Sequence, residues 1–165
     1  MRKWTYAIVL LLVTGFGISS CFKNETTQPT CTTLTAAAPA SEVAALKAYL
    51  DSNGIVATQD SRGFFYSIDA SGSTDTLHPT PCSDVSVTYT GTFLNGKVFD
   101  STGNTPASFN ISGTIAGWQE AIPLMKKNAV MNLYVPPSLG YGASDYYSIP
   151  GKSNLIFKIR LLAFN

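Results

Sequence analysis

An Asn-Gly pair, Asn95-Gly96, stands between two runs of strand-forming residues, and no other feature of this sequence restricts its fold so tightly. Before it, Val85, Val87 and Tyr89 alternate with Ser86, Thr88 and Thr90 in a run that continues to Leu94; after it, Lys97-Val98-Phe99 returns. Alternation with period two turns one face of a strand toward a core and the other toward solvent. Asn-Gly is the pair that a two-residue type I′ hairpin demands, because both central residues need positive φ. The pattern predicts an antiparallel hairpin and a sheet that buries its apolar face.

Further strands are expected on either side. Residues 55–57 and 64–68 are short, rich in β-branched and aromatic side chains, and separated by Asp60-Ser61-Arg62-Gly63, a turn-like segment. Residues 69–81 read as a polar connection. Phe109 and Ile111 mark another short strand, residues 130–135 a further one stopped by Pro136-Pro137, and Leu155, Phe157, Ile159 and Leu161 alternate in a final one. Ile115, Trp118, Ile122 and Met125 keep the spacing of one helical face, and Pro123 limits that helix to a brief or kinked one. Upstream, Ser41 is the expected N-cap of a helix over residues 42–53 with Val43, Leu46 and Leu50 on one face and Gly54 at C′. Its role is to pack on, or stand beside, the domain that follows. The fold class is α+β: a twisted antiparallel sheet around one short helix, with an extra N-terminal helix.

The N-terminus reads differently. Arg2 and Lys3 precede an apolar stretch over residues 4–18, followed by Ser19, Ser20 and Cys21. A membrane span needs about 20 apolar residues, so residues 1–20 read as a cleaved secretory signal peptide. Ile18-Ser19-Ser20-Cys21 resembles a bacterial lipobox, in which Cys21 becomes the lipidated first residue of the mature chain. Residues 21–40, rich in Thr, Ala and Pro, then serve as a flexible tether, leaving residues 41–54 for the helix and 55–165 for the domain. The expected location is the cell envelope, outside the cytoplasm, with a lipid anchor in a bacterial membrane. Two more cysteines, Cys31 and Cys82, can form a disulfide there; it would close about 50 residues and contribute roughly 4 kcal/mol on the chain-entropy model.

Composition excludes several function classes. With 45% hydrophobic and 13% charged residues, the 165-residue chain can bury one ordinary core. Loss of Arg2 and Lys3 with the leader leaves nine basic against ten acidic groups, so no strong field exists to hold nucleic acid. The single histidine, His78, lies in a polar connection without a nucleophile signature or a metal-ligand spacing. No glycine-rich phosphate cradle is present, and the dispersed acids offer no glycosidase pair. Neither a metal nor a cofactor is expected. What stands out is a set of aromatic residues on separate elements, Tyr89, Phe99, Trp118, Tyr141 and Phe157, with the carboxylate of Asp100 beside Phe99.

Several motifs occur in one order: Val87-Thr88-Tyr89-Thr90-Gly91, Asn95-Gly96-Lys97-Val98-Phe99-Asp100-Ser101, Gly117-Trp118-Gln119-Glu120 with Met125, Tyr134-Val135-Pro136, Gly140-Tyr141-Gly142, Ile149-Pro150 and Leu155-Ile156-Phe157. In order and near-spacing they resemble the FKBP-type peptidyl-prolyl cis-trans isomerases over residues 64–164. The resemblance implies an apolar pocket between sheet and helix, with Trp118 as floor and Tyr89, Phe99, Ile115, Tyr141, Ile149 and Phe157 as walls. It also implies that the Ile115 N–H and the Tyr141 hydroxyl bind substrate carbonyls, that Asp100 sits beside the twisting amide, and that Thr114, Ile149 and Phe109 contact substrate. The expected partners are proline-containing polypeptides and macrolide-type inhibitors, and nothing demands more than a monomer.

The chain departs from the family pattern after Asp100, where residues 101–106 form a shorter loop without the arginine that often pairs with the aspartate. Hydroxyls or backbone donors are expected to hold Asp100 instead. Ala107 stands where an aromatic is common and Thr114 where valine is common, while Tyr146-Tyr147 enlarge the loop near the mouth. These departures support an alternative function, a non-catalytic chaperone or binding module that holds apolar segments. A third reading is an envelope lipoprotein whose domain merely docks a partner.

Overall fold

A computed structural model describes residues 34–165; the leader, Cys21, Cys31 and most of the expected tether lie outside the described residues. Helix α1 spans Ala40–Ser52, and its N-cap is Pro39 rather than Ser41, with no side-chain capping bond. Pro39, at φ −57 and ψ 144, presets the extended entry, and Ser41 falls inside the first turn. The C-terminus closes as its glycine predicts. Gly54 takes φ 63, its N–H donates to Asp51 O at 3.2 Å, and the Ile55 N–H donates to Leu50 O at 2.9 Å, the two bonds of a Schellman motif.

That motif corrects the expected strand at residues 55–57. Ile55 packs against the Leu46 and Leu50 cluster, Val56 stands 90% exposed, and the first strand, β1, is Thr58–Gln59. The branched side chain of Ile55 serves the helix end and makes no ladder. Residues 34–39 have no regular secondary structure, yet Ala36 and Ala38 pack against the core, and the Ala38 N–H donates to Arg62 O at 2.8 Å.

Strands β2 (Phe65–Ala70), β3 (Asp84–Phe93), β4 (Val98–Ser101), β5 (Ala107–Asn110), β6 (Val130–Val135) and β7 (Leu155–Phe164) join β1 in a seven-stranded sheet. Its order is β1-β2-β6-β7-β3-β4, with β5 also paired to β3, and every pairing is antiparallel. One edge of β3 thus serves two strands, β5 along residues 84–87 and β4 along residues 90–92.

The β3–β4 hairpin forms where Asn95-Gly96 predicts, but its turn is not type I′: Gly96 has φ 81 while Asn95 is not at positive φ. The Gly96 N–H donates to Phe93 O at 2.9 Å and the Phe93 N–H to Lys97 O at 3.0 Å, which makes Leu94-Asn95-Gly96 a three-residue loop ending in a left-handed glycine. Two residues further on, the register shifts so that Gly91 faces Asp100 and Thr92 faces Val98, leaving Phe99 as the extra residue of a bulge. Phe99 lies over Gly91, where an added Cβ would come within 2.6 Å of its ring.

Helix α2, Ala116–Ala121, runs into a single 3-10 turn, Ile122–Leu124, so Pro123 ends the regular helix as expected. Trp118, Ala121, Ile122 and Met125 are buried against Val85, Val87, Leu133, Val135, Ile159 and Leu161 of the sheet. Each large apolar side chain enclosed in this way contributes about 1.5–3 kcal/mol. Helix α1 covers part of the opposite face. Phe65, Tyr134 and Ile156 lie side by side across β2, β6 and β7 and receive Leu46 and Leu50, while the Tyr49 hydroxyl donates to Leu94 O at 3.0 Å.

Candidate functional site

The bulge at Phe99 brings Asp100 round to a cavity of about 410 Å³ that opens between α2 and the near end of the sheet. Tyr89 reaches it from β3, Phe109 from β5 and Phe157 from β7; Trp118 comes from α2, Gly113, Thr114 and Ile115 from the loop before α2, and Tyr141 and Tyr146 from the loop after β6. Trp118, 4% exposed, meets three rings edge to face. Its centroid lies 5.1 Å from that of Tyr89, 5.9 Å from Phe109 and 5.4 Å from Phe157, at interplanar angles of 81–89°. Rings at such angles hold one another's orientation by their quadrupoles, so the floor is rigid as well as apolar. The indole Nε1 is buried without a hydrogen-bond partner among the described residues.

Polar groups sit at the rim. The Tyr89 hydroxyl donates a short hydrogen bond to Asp100 Oδ2, so a phenol from the neighbouring strand holds the carboxylate in place of the absent arginine. Burial, and then the Asp100 bond, hold the Tyr89 phenol far above its ordinary ionisation range. Burial, with Tyr146 and Asp100 nearby, also raises that of Tyr141. Both hydroxyls are therefore donors near neutral pH. Tyr89 has spent its proton on Asp100, whereas the Tyr141 hydroxyl has no hydrogen-bond partner among the described residues.

A second donor comes from the backbone. Ile115 is the N-cap of α2 at φ −64 and ψ 153, and its carbonyl accepts from the N–H groups of Trp118 and Gln119 at 2.9 and 3.1 Å, while its own N–H makes no bond among the described residues. Gln119 braces the approach to this residue, its Nε2 donating to Ser112 O at 3.1 Å and to Thr114 O at 2.7 Å. The cavity thus combines an apolar aromatic floor with two unspent donors. Among the described residues no cluster of His, Cys, Asp or Glu could hold a metal.

Of the residues singled out from sequence, Tyr89, Asp100, Phe109, Thr114, Ile115, Trp118, Tyr141 and Phe157 line this cavity; Phe99 and Ile149 do not. Phe99 stands behind Phe157, edge to face at 5.6 Å. Ile149, 6% exposed, exchanges two backbone hydrogen bonds of 2.9 Å with Tyr146 and so holds that ring at the mouth. Ala107 faces Val87 in the ladder, away from the lining set. Gly113 and Tyr146 also line the cavity, although no motif in the sequence marks them as site residues and the Tyr146-Tyr147 pair is legible only as a feature of the mouth. Tyr146 stacks on Tyr141 at 4.5 Å and 18°, and Tyr147, 94% exposed, meets Tyr146 edge on at 4.8 Å.

An aromatic-floored cavity between an antiparallel sheet and a short helix defines a class, and comparison with known proteins agrees with it. The family model for FKBP-type peptidyl-prolyl cis-trans isomerases matches residues 76–162. The chain belongs to this family. It is 42% identical over 88 residues to the peptidyl-prolyl cis-trans isomerase Mip of Coxiella burnetii, covering 52% of this chain and 38% of that protein. It is 35% identical over 119 residues to the FKBP-type isomerase FkpA of Buchnera aphidicola from Schizaphis graminum, covering 71% of this chain and 46% of that protein. The chain therefore spans less than half the length of these curated relatives. The crystal structure of FkpA from Escherichia coli superposes with a TM-score of 0.67 at 32% identity, over 76% of this chain and 60% of that one. A peptidyl-prolyl isomerase from Pseudomonas syringae pv. tomato superposes at 0.66 and 25% identity, over 78% and 97%.

Proposed function

We propose that this domain catalyses cis-trans isomerisation of X-Pro bonds in exported polypeptides by stabilising the twisted amide without covalent chemistry. The observation that carries this reading is the cavity itself, open in front of Trp118 and flanked by the two free donors at Ile115 and Tyr141. Rotation about an X-Pro bond must break amide resonance against a barrier of about 18–20 kcal/mol. The planar amide is the more polar state, so moving it from water to an aromatic floor favours the twisted one, and donors fixed on the flanking carbonyls strengthen in the same dry surroundings. Trp118 supports the prolyl ring, the Ile115 N–H and Tyr141 hydroxyl hold carbonyls, and Asp100, positioned by Tyr89, lies beside the rotating bond. Phe99 and Ile149 act from behind by fixing Phe157 and Tyr146. Macrolide-type inhibitors belong to the same cavity.

The leader and the lipobox-like residues ending at Cys21 support attachment to a bacterial envelope membrane through acyl chains, with substrates outside the cytoplasm. Among the described residues no helix is long and apolar enough to cross a membrane.

The test is the exchange rate of a Leu-Pro or Phe-Pro peptide. The wild-type domain should accelerate it, Trp118→Ala should lose most of the acceleration, and Tyr141→Phe should lose roughly one charge-free hydrogen bond's worth, about 0.5–1.5 kcal/mol or a factor of 2–12. A wild-type rate equal to the uncatalysed one, with aggregation of a proline-free client suppressed, would establish the chaperone reading instead.

A further inference from the structure

We infer that the N-terminal helix α1 is part of the isomerase machinery, because Glu42 holds the turn that aims Tyr141 into the cavity. The inference rests on the isomerase reading of that cavity.

It begins with a local anomaly in the helix. Glu42 occupies the third position of α1, where a glutamate ordinarily folds back to the N–H of the N-cap residue. The N-cap here is Pro39, which has no N–H to offer. The carboxylate instead reaches across 96 positions of sequence, and its Oε2 accepts from the Ser138 N–H at 2.9 Å.

Ser138 belongs to the 3-10 turn Pro137–Leu139 that follows β6. Such a turn leaves its first N–H groups without internal partners. Pro137 has none to satisfy, the Leu139 N–H finds Pro136 O at 3.1 Å, and the Ser138 N–H is the one completed from outside the turn. The carbonyl of Pro137 then accepts from the Gly140 N–H at 3.0 Å and from the Gly142 N–H at 2.8 Å. One carbonyl therefore clamps the chain on both sides of Tyr141. An unbroken series of bonds leads from α1 through the turn to the ring whose hydroxyl is free for substrate. Glu42 touches no reacting atom and is a positioning residue. The helix itself is fixed to the sheet by Leu46, Leu50 and the Tyr49 hydroxyl, so Glu42 is held from a rigid base.

The test is a double-mutant cycle on the full chain in detergent, reading kcat/KM for an X-Pro peptide. Glu42→Ala should lower kcat/KM about 3–10-fold, within the usual range for coupled neighbours, while Glu42→Gln, which keeps an acceptor oxygen, should stay within about twofold of wild type. In a Tyr141→Phe background, Glu42→Ala should cost nothing further, since both changes act through one hydroxyl. An effect equally large in that background, a Glu42→Gln variant no better than Glu42→Ala, or a Glu42→Ala variant equal to wild type would each overturn the inference. A wild type without turnover is a different failure and would end the isomerase reading along with it.

Discussion

Glu120 lies two residues beyond the floor tryptophan on α2, its side chain 1% exposed and neither carboxylate oxygen hydrogen-bonded among the described residues. The nearest cation is Arg62, with Nε 3.8 Å from Oε2. That guanidinium is already committed, donating to both oxygens of Asp60 at 2.7 and 3.1 Å and lying 5.2 Å from the centroid of Phe64. Burial pushes the Glu120 carboxyl up to about 7, Arg62 pulls it down only in part, and Asp60 adds a push upward. A carboxyl whose folded value exceeds its unfolded one of about 4.3 binds its proton more tightly in the native state. Its stabilising effect is full below the unfolded value and is lost as pH rises through about 7. Glu120→Gln should therefore stabilise the protein more at pH 8 than at pH 5, by on the order of 3 kcal/mol at most. Urea unfolding at the two pH values reads this directly; equal increments at both would show that Glu120 does not ionise between them.

At the scale of elements, α1 is fixed by few side chains, and Leu46, 0% exposed, is central to them. Leu46→Ala should cost about 2–5 kcal/mol, measured as a lower urea midpoint, with no residue of the cavity touched. A loss below 1 kcal/mol would mean that the helix is docked mainly by its polar contacts. The elements also show what a sequence discloses. Strand β6 spans Val130–Val135, as its apolar run predicts, because Met131, Leu133 and Val135 alternate into the core and a following Pro-Pro stops the ladder. The strand expected at residues 55–57 failed because β-branched residues also close helix ends, and only the register of the two Schellman bonds tells the two uses apart. Asn95-Gly96 announced a hairpin but not its loop length, which depends on the backbone of Leu94 as well. In the site, residues on strands and α2 were legible from ordered motifs. Tyr146 was legible as part of the mouth loop but not as a lining residue, because its position comes from a bridge with Ile149, within a loop that has no periodicity to read.

For the whole molecule, Cys82 is disulfide-bonded, while both other cysteines, Cys21 and Cys31, lie outside the described residues. If Cys21 carries lipid through its sulfur, Cys31 is the partner left. Peptide mapping without reductant should recover a Cys31–Cys82 link, and reduction should lower stability by about 4 kcal/mol for a loop of roughly 50 residues. A link to Cys21, or a urea midpoint indifferent to reductant, would refute the assignment.

The long pairing of β3 with β7 joins residues 62 to 79 positions apart. Synthesis delivers the earlier strand first, so its inner edge and its row of apolar side chains wait for a partner that arrives near the end. Tyr89 and Phe157 ride on those two strands and face one another at 6.5 Å. Both walls of the cavity are consequently in place only once β7 has been made, and on the isomerase reading proposed above the domain contributes nothing to the turnover of its own X-Pro bonds before then.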